Sequence, residues 1–589
     1  MLFSLRHGEK LQWLSPGTAV TDSTTASMDR PRAAPPDIVA VEMAVPGIRD
    51  TQVTGRETES IRAPMDLGEP FVFLFPDAPP LKSEDKKAQL GALATAMIET
   101  FSQETEDGIP AVFTYLGQFI DHDMTAGTNT DDVLEALRID ATLIIPQDRQ
   151  LVQNGLRNMR KGSLQLDSLY GDGPFNSPES TKLQAAMRDP VNPNKMLLGE
   201  LVRLNGAPPR TERIAPADDN FFDLPRVGAI VGPGKPFADV AALPLPLQPA
   251  PGDTSGKWKR KAFIGDSRND ENLIVAQTHL AFLRLHNSFV ERGMDFTEAR
   301  QATVFHYQWL IVNSYLDEVC DRATLSSVIA NKAPLYTKFL ERVKPTLPLG
   351  VLPVPLEFSA AAFRFGHSMV RGVYDFNANF KDATLTQLFQ FTGGGPNPVG
   401  GAGFDLETLP DNWPIDWVRF LDRAPGRRAR PIDTGLASPL GDMVNETTGV
   451  FKQLAERNLR RGHVLNLPSA QSVIAALTNM GLEPTTELTS AQLTSGVTGS
   501  ALQAGGFVDE TPLWFYVLKE AEVFGRGKLG PVGSRLVAET IFGLIVHDPD
   551  SYLNRTGTPW HPAQMAAGGQ ASITSLEALF RAAGTMAAI

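Results

Sequence analysis

Residues 113–130 read FTYLGQFIDHDMTAGTNT, and within them a histidine stands between two aspartates with a glutamine one helical turn upstream. On an α-helix, at about 100° per residue, Gln118 and His122 lie roughly 40° apart, with Asp121 about 60° to the other side of Gln118. These three share a face. Asp123 lies roughly 100° from His122 and points away, so the two acids cannot do one job. A Gln/Asp/His set on one helix face suits a site that moves protons or orients a small polar ligand. Asp123 is placed to meet something behind the helix: a cation, a backbone donor or a base. Taken alone, the stretch also fits a helix N-terminus whose aspartates offset the macrodipole, beside a hydrogen-bonded histidine.

Two further stretches carry chemistry-bearing residues at helical spacing. In GDSRNDENLIVAQTHLAFLRLHN (265–287), Arg268 and Glu271 stand three apart at the start of a strongly helical run. By itself this reads as a helix cap with an internal ion pair. In FRFGHSMVRGVYDFN (363–377), Arg364, His367 and Arg371 fall at i, i+3 and i+7 of an expected helix, among Phe363, Phe365, Met369 and Val370. A histidine so placed is either a satisfied core residue or a neutral imidazole aimed into an apolar slot, as a haem iron requires, with arginine near for anionic propionates.

The rest of the chain bounds what these stretches can mean. Its 589 residues are 42% hydrophobic and 21% charged, with a formal charge of −13 and a pI near 5.3. That balance argues against a broad nucleic-acid surface or a polybasic lipid patch. One cysteine, Cys320, excludes an internal disulfide or a Cys-rich zinc site, and it reads as a small buried hydrophobe. No run of 18 apolar residues occurs, so no transmembrane segment is expected. The start lacks the apolar run of a signal peptide, so a soluble protein is expected, in the cytoplasm or exported without a leader.

Helical spacing dominates from FVFLFPDAPPLKSEDKKAQLGALATAMIET (71–100) onward, with SEDK as an N-terminal signal and Leu90, Leu93 and Met97 on one face. Long Pro/Gly segments such as PLPLQPAPGDTSG and TGGGPNPVGGAGF separate the helical runs. Alternating strand patterns are few. The expectation is a mainly α protein: one large helical domain over 61–560 with long irregular loops and little sheet, a loosely ordered extension over 1–60 and a tail over 561–589. GRGKLG at 525–530 matches a glycine-rich nucleotide fingerprint but follows no convincing strand, and reads as a loop before a helix. No His-Glu-x-x-His zinc motif is present. His279 and His286 share a helix face and read as packing residues, and RNLRRGH (457–463) as a solvated helix end or propionate-side surface.

Together, GQFIDHD, GDSRNDE and FRFGH resemble the animal-type haem peroxidase family, of the peroxidase–cyclooxygenase superfamily, in its bacterial form. The resemblance runs over roughly residues 65–555 and includes LDSLYGDGP, RNLRRGHVLNLPS and GPVGSRLVAETIFGLI. It implies a haem enzyme that reduces hydrogen peroxide while oxidising a small electron donor. His122 is similar to the distal base, Arg268 to the distal arginine, and Gln118 to the glutamine that holds water or halide over the iron. His367 is similar to the proximal ligand, Asn458 to the asparagine that accepts its second ring N–H, and Arg364 to a propionate partner. Asp121 and Glu271 match carboxylates that form ester links to haem, so the cofactor is haem b or ester-linked haem.

Calcium is implied at Asp123, Asp167 and the Ser163 carbonyl. However, Lys161 and Gln165 occupy positions where the family supplies further oxygen ligands. The alternative there is a lysine ammonium acting as counter-charge to Asp123 and Asp167. Asn272 stands where the chlorinating relative has a methionine, so bromide, iodide, thiocyanate or phenolic donors are expected over chloride. Arg364 occupies the place of the radical-forming tyrosine of the lipid oxygenases, which favours a peroxidase over a fatty-acid dioxygenase. A non-catalytic haem-bearing adhesion or interaction protein is the remaining alternative.

Overall fold

Residues 68–586 are described by a computed structural model, except 83, 101–107, 127–138, 174–177, 202–221, 244–246, 250–251, 254–255, 394–407, 424–425, 444–445, 447–448, 483–486, 526 and 566–571; Leu2–Phe3 and Gln12–Trp13 are described as well. Most of the 1–60 extension therefore lies outside the described residues. The helices used below are α1 (Lys87–Met97), α2 (Val112–Met124), α3 (Leu273–Glu291), α4 (Phe296–Leu310) and α5 (Pro334–Val343). They continue with α6 (Leu454–Val464), α7 (Leu513–Glu520), α8 (Pro531–His547) and α9 (Leu576–Ala582). Strands among the described residues form only two-residue antiparallel pairs, such as Glu69–Pro70 with Arg157–Asn158 and Val373–Tyr374 with Ala383–Thr384. The mainly α expectation holds.

Apolar periodicity placed the helices. α1 buries Leu90, Leu93, Ala94 and Met97, the face read from the sequence, and lies against α6. α3 packs on both α2 and α4, and α5 on α8. Asn272 caps α3 by accepting from Val275 N at 3.0 Å. No helix among the described residues is long and apolar enough to cross a membrane. Cys320 is buried and its thiol is pushed up to about 12 by burial, as an inert core residue should be. Residues 576–582, set apart above as part of a tail, form α9, whose Phe580 stacks on Trp417 with ring centres 3.9 Å apart.

Three local expectations fail. The FRFGH segment is not an α-helix. It is a 3₁₀ turn, Ala362–His367, after a short helix that ends at Ala361 with φ −135° and ψ −73°. At three residues per turn, Arg364 and His367 stand in line, while Arg371 falls outside and directs Nε to the Arg428 carbonyl. The aspartates of α2 sit in its last turn, not its first, where the macrodipole opposes them. RNLRRGH is not a solvated end. Arg457, Arg460, Arg461 and His463 are buried on α6, because Glu446 pairs with Arg457 and Glu456 with Arg460.

α2 is buried along its whole length except at Gln118 and Asp121. Its Gly117 is required by close approach: a Cβ there would lie 2.6 Å from the Tyr315 hydroxyl oxygen. Beyond α3, His306 on α4 gives its Nδ1–H to the Ala302 carbonyl at 2.7 Å and stacks on Phe289, and burial pushes its pKa down to about 4. A histidine held neutral in this way stabilises the fold fully above its unfolded value of about 6.5, and loses that contribution as pH falls toward 4. In urea unfolding, the stability gap between the wild type and His306→Asn should therefore shrink by about 2 kcal/mol from pH 7 to pH 5.

Candidate functional site

His122 is 3% exposed, and its Nδ1 lies 2.9 Å from Asn269 Oδ1. The amide oxygen can only accept, so Nδ1 carries the proton and Nε2 keeps its lone pair. Burial, and then the Arg268 charge, push the imidazole below its ordinary pKa, against the pull of Glu271, Asp266 and Asp121. A neutral histidine with a bare Nε2 is a base in waiting.

Arg268 lies beside it. Its Nη2 donates to the carbonyls of His122 (3.0 Å) and Thr125 (2.7 Å) and pairs with Asp266 at 2.7 Å. The Arg268–Glu271 ion pair expected from the spacing is thus replaced by Arg268–Asp266, because Asp266 also accepts from Arg268 N and fixes the turn. Asp266 in turn pairs with Arg160 at 2.5 Å, both side chains being wholly buried. Burial opposes charge on Arg268, but Asp266 outweighs it and holds the guanidinium protonated.

Gln118 accepts from Asn272 Nδ2 at 2.9 Å, and Asp121 accepts from Thr125 Oγ1 at 3.0 Å. Asp121 and Glu271 both lie within electrostatic reach of His122 and Arg268. The Ala362–His367 turn packs on the same helix α2. There, His367 Nδ1 lies 2.9 Å from Asn458 Nδ2, and its ring stands edge-on to Trp514 with centres 6.5 Å apart. Arg364 directs Nε to the Ser359 carbonyl at 2.9 Å, and its own carbonyl accepts from Trp514 Nε1.

Asn458 departs from the expectation that it accepts from His367. Its Nδ2 also donates to the Leu454 carbonyl (2.9 Å), and its Oδ1 accepts from Arg461 (3.2 Å). These two partners set the amide so that it gives a hydrogen bond to His367 Nδ1. A ligating Nε2 needs the reverse, with Nδ1–H donating to Oδ1, which takes a half-turn of the Asn458 amide that gives up its bonds to Leu454 and Arg461. A cavity of about 10 Å³, room for one water, lies beside Asn458, His463 and Trp514 and is too small for a cofactor.

Exposure provides the test of fit for a porphyrin. On α2 only Gln118 and Asp121 keep partial exposure; across 267–272 only Arg268 and Glu271 do; across 362–370 only Arg364, Gly366, His367 and Val370 do. A Cβ added to Gly366 would meet no atom within 4 Å, so there is open space next to His367. These residues supply an imidazole for iron, guanidinium groups for propionates and carboxylates for a haem edge, which fits haem.

Calcium fits less well. Asp123 accepts from Leu166 N (3.1 Å) and Ser168 N (3.0 Å), so the group behind the helix is a backbone donor. The Ser163 carbonyl accepts from Gln165 N, and Asp167 Oδ2 from Lys161 N. Among the described residues, no three His, Cys, Asp or Glu side chains are placed to hold an ion. Lys161 acts electrostatically on Glu69 and Asp167, whereas Arg160 is the cation that bears on Asp123.

Residues 239–392 match the animal haem peroxidase family model, a stretch that holds Arg268, Glu271, Arg364 and His367. Over that stretch, about a quarter of its length, the chain is similar to the animal haem peroxidase family. It is 29% identical over 223 residues to a peroxidasin homologue of Caenorhabditis elegans, covering 36% of this chain and 15% of that protein. It thus spans less than a sixth of that relative. Peroxidase A of Dictyostelium discoideum is similar in fold, with a TM-score of 0.51 at 16% identity over 89% of this chain and 94% of that one. A looser likeness, TM-score 0.47 at 12% identity, covers 86% of this chain and 75% of a fatty acid alpha-dioxygenase of Arabidopsis thaliana.

Motif reading gave no role to Asn269 or Asp266, read Asn272 only as a replacement for methionine, and read His279 only as packing. Asn272 had a legible signal, an asparagine just before an apolar helical run; Asn269 had none, since His122 lies far away in sequence. His279 and His286 are also more than packing. His279 Nδ1 meets Asn269, and His286 bonds the Tyr170 hydroxyl and the Asn194 carbonyl. Removing the carboxylate of Asp266 would strand Arg160 and Arg268 in the interior. Asp266→Ala is expected to cost about 3–5 kcal/mol in urea unfolding, and a loss below about 1 kcal/mol would mean the two arginines find other partners.

Proposed function

We propose that this chain is a haem peroxidase that reduces hydrogen peroxide and oxidises a small donor: a halide other than chloride, thiocyanate or a phenol. The observation that supports this reading best is the pairing of a buried, neutral His122, bare at Nε2, with a charge-locked Arg268 on a wall whose few open positions carry haem-binding chemistry. Haem, when bound, supplies the redox centre through which the donor's electrons reach peroxide. In the whole reaction, peroxide takes two electrons and two protons and becomes two waters.

His122 Nε2 takes a proton from one peroxide oxygen and returns it to the other as the O–O bond breaks, so that water departs. Its Nδ1–H stays on Asn269 throughout, which keeps the ring from turning. The guanidinium of Arg268 stabilises the negative charge that develops on the departing oxygen, and it costs no reorganisation because Asp266 and two carbonyls already hold it. Gln118, oriented by Asn272, holds a polar ligand over the site. His367 would hold the iron, with Asn458 accepting its Nδ1–H after the amide turns, Arg364 meeting a propionate, and Asp121 and Glu271 reaching the haem edge.

A fatty-acid dioxygenase would need a tyrosine at 364, where the chain has arginine. Oxygen uptake on a long-chain fatty acid, with no peroxide-dependent oxidation of bromide or guaiacol, would establish that reading instead. Calcium has no part in the proposal: Asp123, the Ser163 carbonyl and Asp167 Oδ2 already accept backbone N–H groups, which leaves Asp167 Oδ1 as the one expected oxygen buried without a partner among the described residues.

His367→Ala should lose the absorption spectrum of ligated haem. His122→Ala should keep that spectrum and slow peroxide cleavage by about 10²-fold or more in stopped flow; normal cleavage without this imidazole sinks the assignment. EGTA followed by desalting should leave the thermal midpoint and the haem spectrum unchanged, with no stoichiometric calcium in elemental analysis. A drop of several degrees, reversed by calcium, would restore the ion.

A further inference from the structure

Asn269 follows Arg268 directly, is wholly buried, and spans two imidazoles: Oδ1 lies 2.9 Å from His122 Nδ1, and Nδ2 lies 2.9 Å from His279 Nδ1. We propose that Asn269, clamped from behind by His279, is the positioning residue that keeps the His122 proton on Nδ1 and so leaves Nε2 bare toward peroxide. This rests on the reading of His122 as the peroxide base and names what sets that base up.

An amide is polar in one sense only: one end accepts and the other donates. With Oδ1 toward His122, that ring must donate from Nδ1. With Nδ2 toward His279, that ring must accept at Nδ1 and carry its own proton on Nε2. If the amide turned over, His122 would accept at Nδ1 and carry its proton on Nε2, where it could no longer take one from peroxide. The orientation of the amide thus decides whether the neighbouring ring is a base.

His279 is what holds the orientation. It is 0% exposed on α3, its ring lies edge-on to Phe119 of α2 with centres 6.0 Å apart, and burial pushes its pKa down to about 3, so it stays neutral with a lone pair to offer. Its Nε2 is buried and meets no partner among the described residues, so the proton it carries there goes unbonded, a cost that the Asn269 and His122 contacts together must outweigh. The turn around Asn269 is rigid, since Asp266 accepts from Arg268 N and the Asn269 N–H donates to the Asp266 carbonyl at 3.0 Å. The device is therefore a relay of three buried side chains from two helices and the turn between them. No charge is added to it, in a region where Asp266, Asp121 and Glu271 already face Arg268.

Protein labelled with [15N]histidine and loaded with haem, as the diamagnetic ferrous carbonyl, reports each ring's tautomer by two-bond 1H–15N correlation; His122 is assigned by its loss in His122→Gln. The wild type should show His122 protonated at Nδ1 and His279 at Nε2. A wild-type His122 protonated at Nε2 overturns the proposal without any variant. Asn269→Leu, and His279→Leu, should shift His122 toward the Nε2–H form and slow cyanide association with the ferric protein at fixed pH by about tenfold or more, with the haem spectrum unchanged. His279→Asn, which keeps an acceptor near Nδ1, should restore most of the rate. Rates within twofold of wild type in folded, haem-loaded Asn269→Leu sink the inference alone. Unchanged cyanide association in His122→Ala removes the underlying assignment of His122.

Discussion

A helix that carries Gln118, Asp121, His122 and Asp123 and is closed off along nearly its whole length is the constraint on which the rest of the structure depends. Burying so many polar groups is unfavourable unless each finds a partner. Every partner but one comes from outside the helix: Asn272 for Gln118, Asn269 for His122, and the Leu166 and Ser168 amides for Asp123; only Asp121 is met locally, by Thr125. Segments separated by dozens to more than a hundred residues are thereby drawn onto one helix. The site follows from satisfying that helix.

Charge is handled in the same manner. Arg160, Asp266 and Arg268 form a buried chain of alternating sign, and Arg226 joins Asp223 to Asp270 on the other side of the same turn, at 2.9 and 2.6 Å. Such pairs contribute little net stability, since desolvation offsets their attraction, but they fix geometry, because breaking one leaves an ion stranded. For a group that must meet developing negative charge without moving, that fixity is what matters. Arg268 is held by a carboxylate and two carbonyls before any ligand arrives.

How much of this was legible beforehand can be judged residue by residue. The spacing in LGQFIDHDM separated Asp121 from Asp123 correctly, because helix geometry alone dictates the angle between them. Leu90, Leu93 and Met97 were placed on the right face for the same reason. FRFGH was misread as α-helix, since apolar periodicity over so few residues does not distinguish 3.6 from 3.0 residues per turn. The arginines of α6 were read as solvated because charge favours the surface, while their acid partners, Glu446 and Glu456, lay outside the pattern considered. Arg268 was assigned the wrong acid because i, i+3 spacing counts only partners along a helix, and Asp266 reaches it across a turn.

Residue identity and short-range spacing determined the helical class, the order of the three motifs and which side chains could share a face, since those depend on backbone geometry that repeats every few residues. Tertiary packing alone decided the protonation of His122 and the use of Asp123 as an acceptor for backbone amides. Each of these is settled by a hydrogen-bond partner far along the chain. A tautomer or an amide's direction belongs to no single residue; it exists only once the partner is in place.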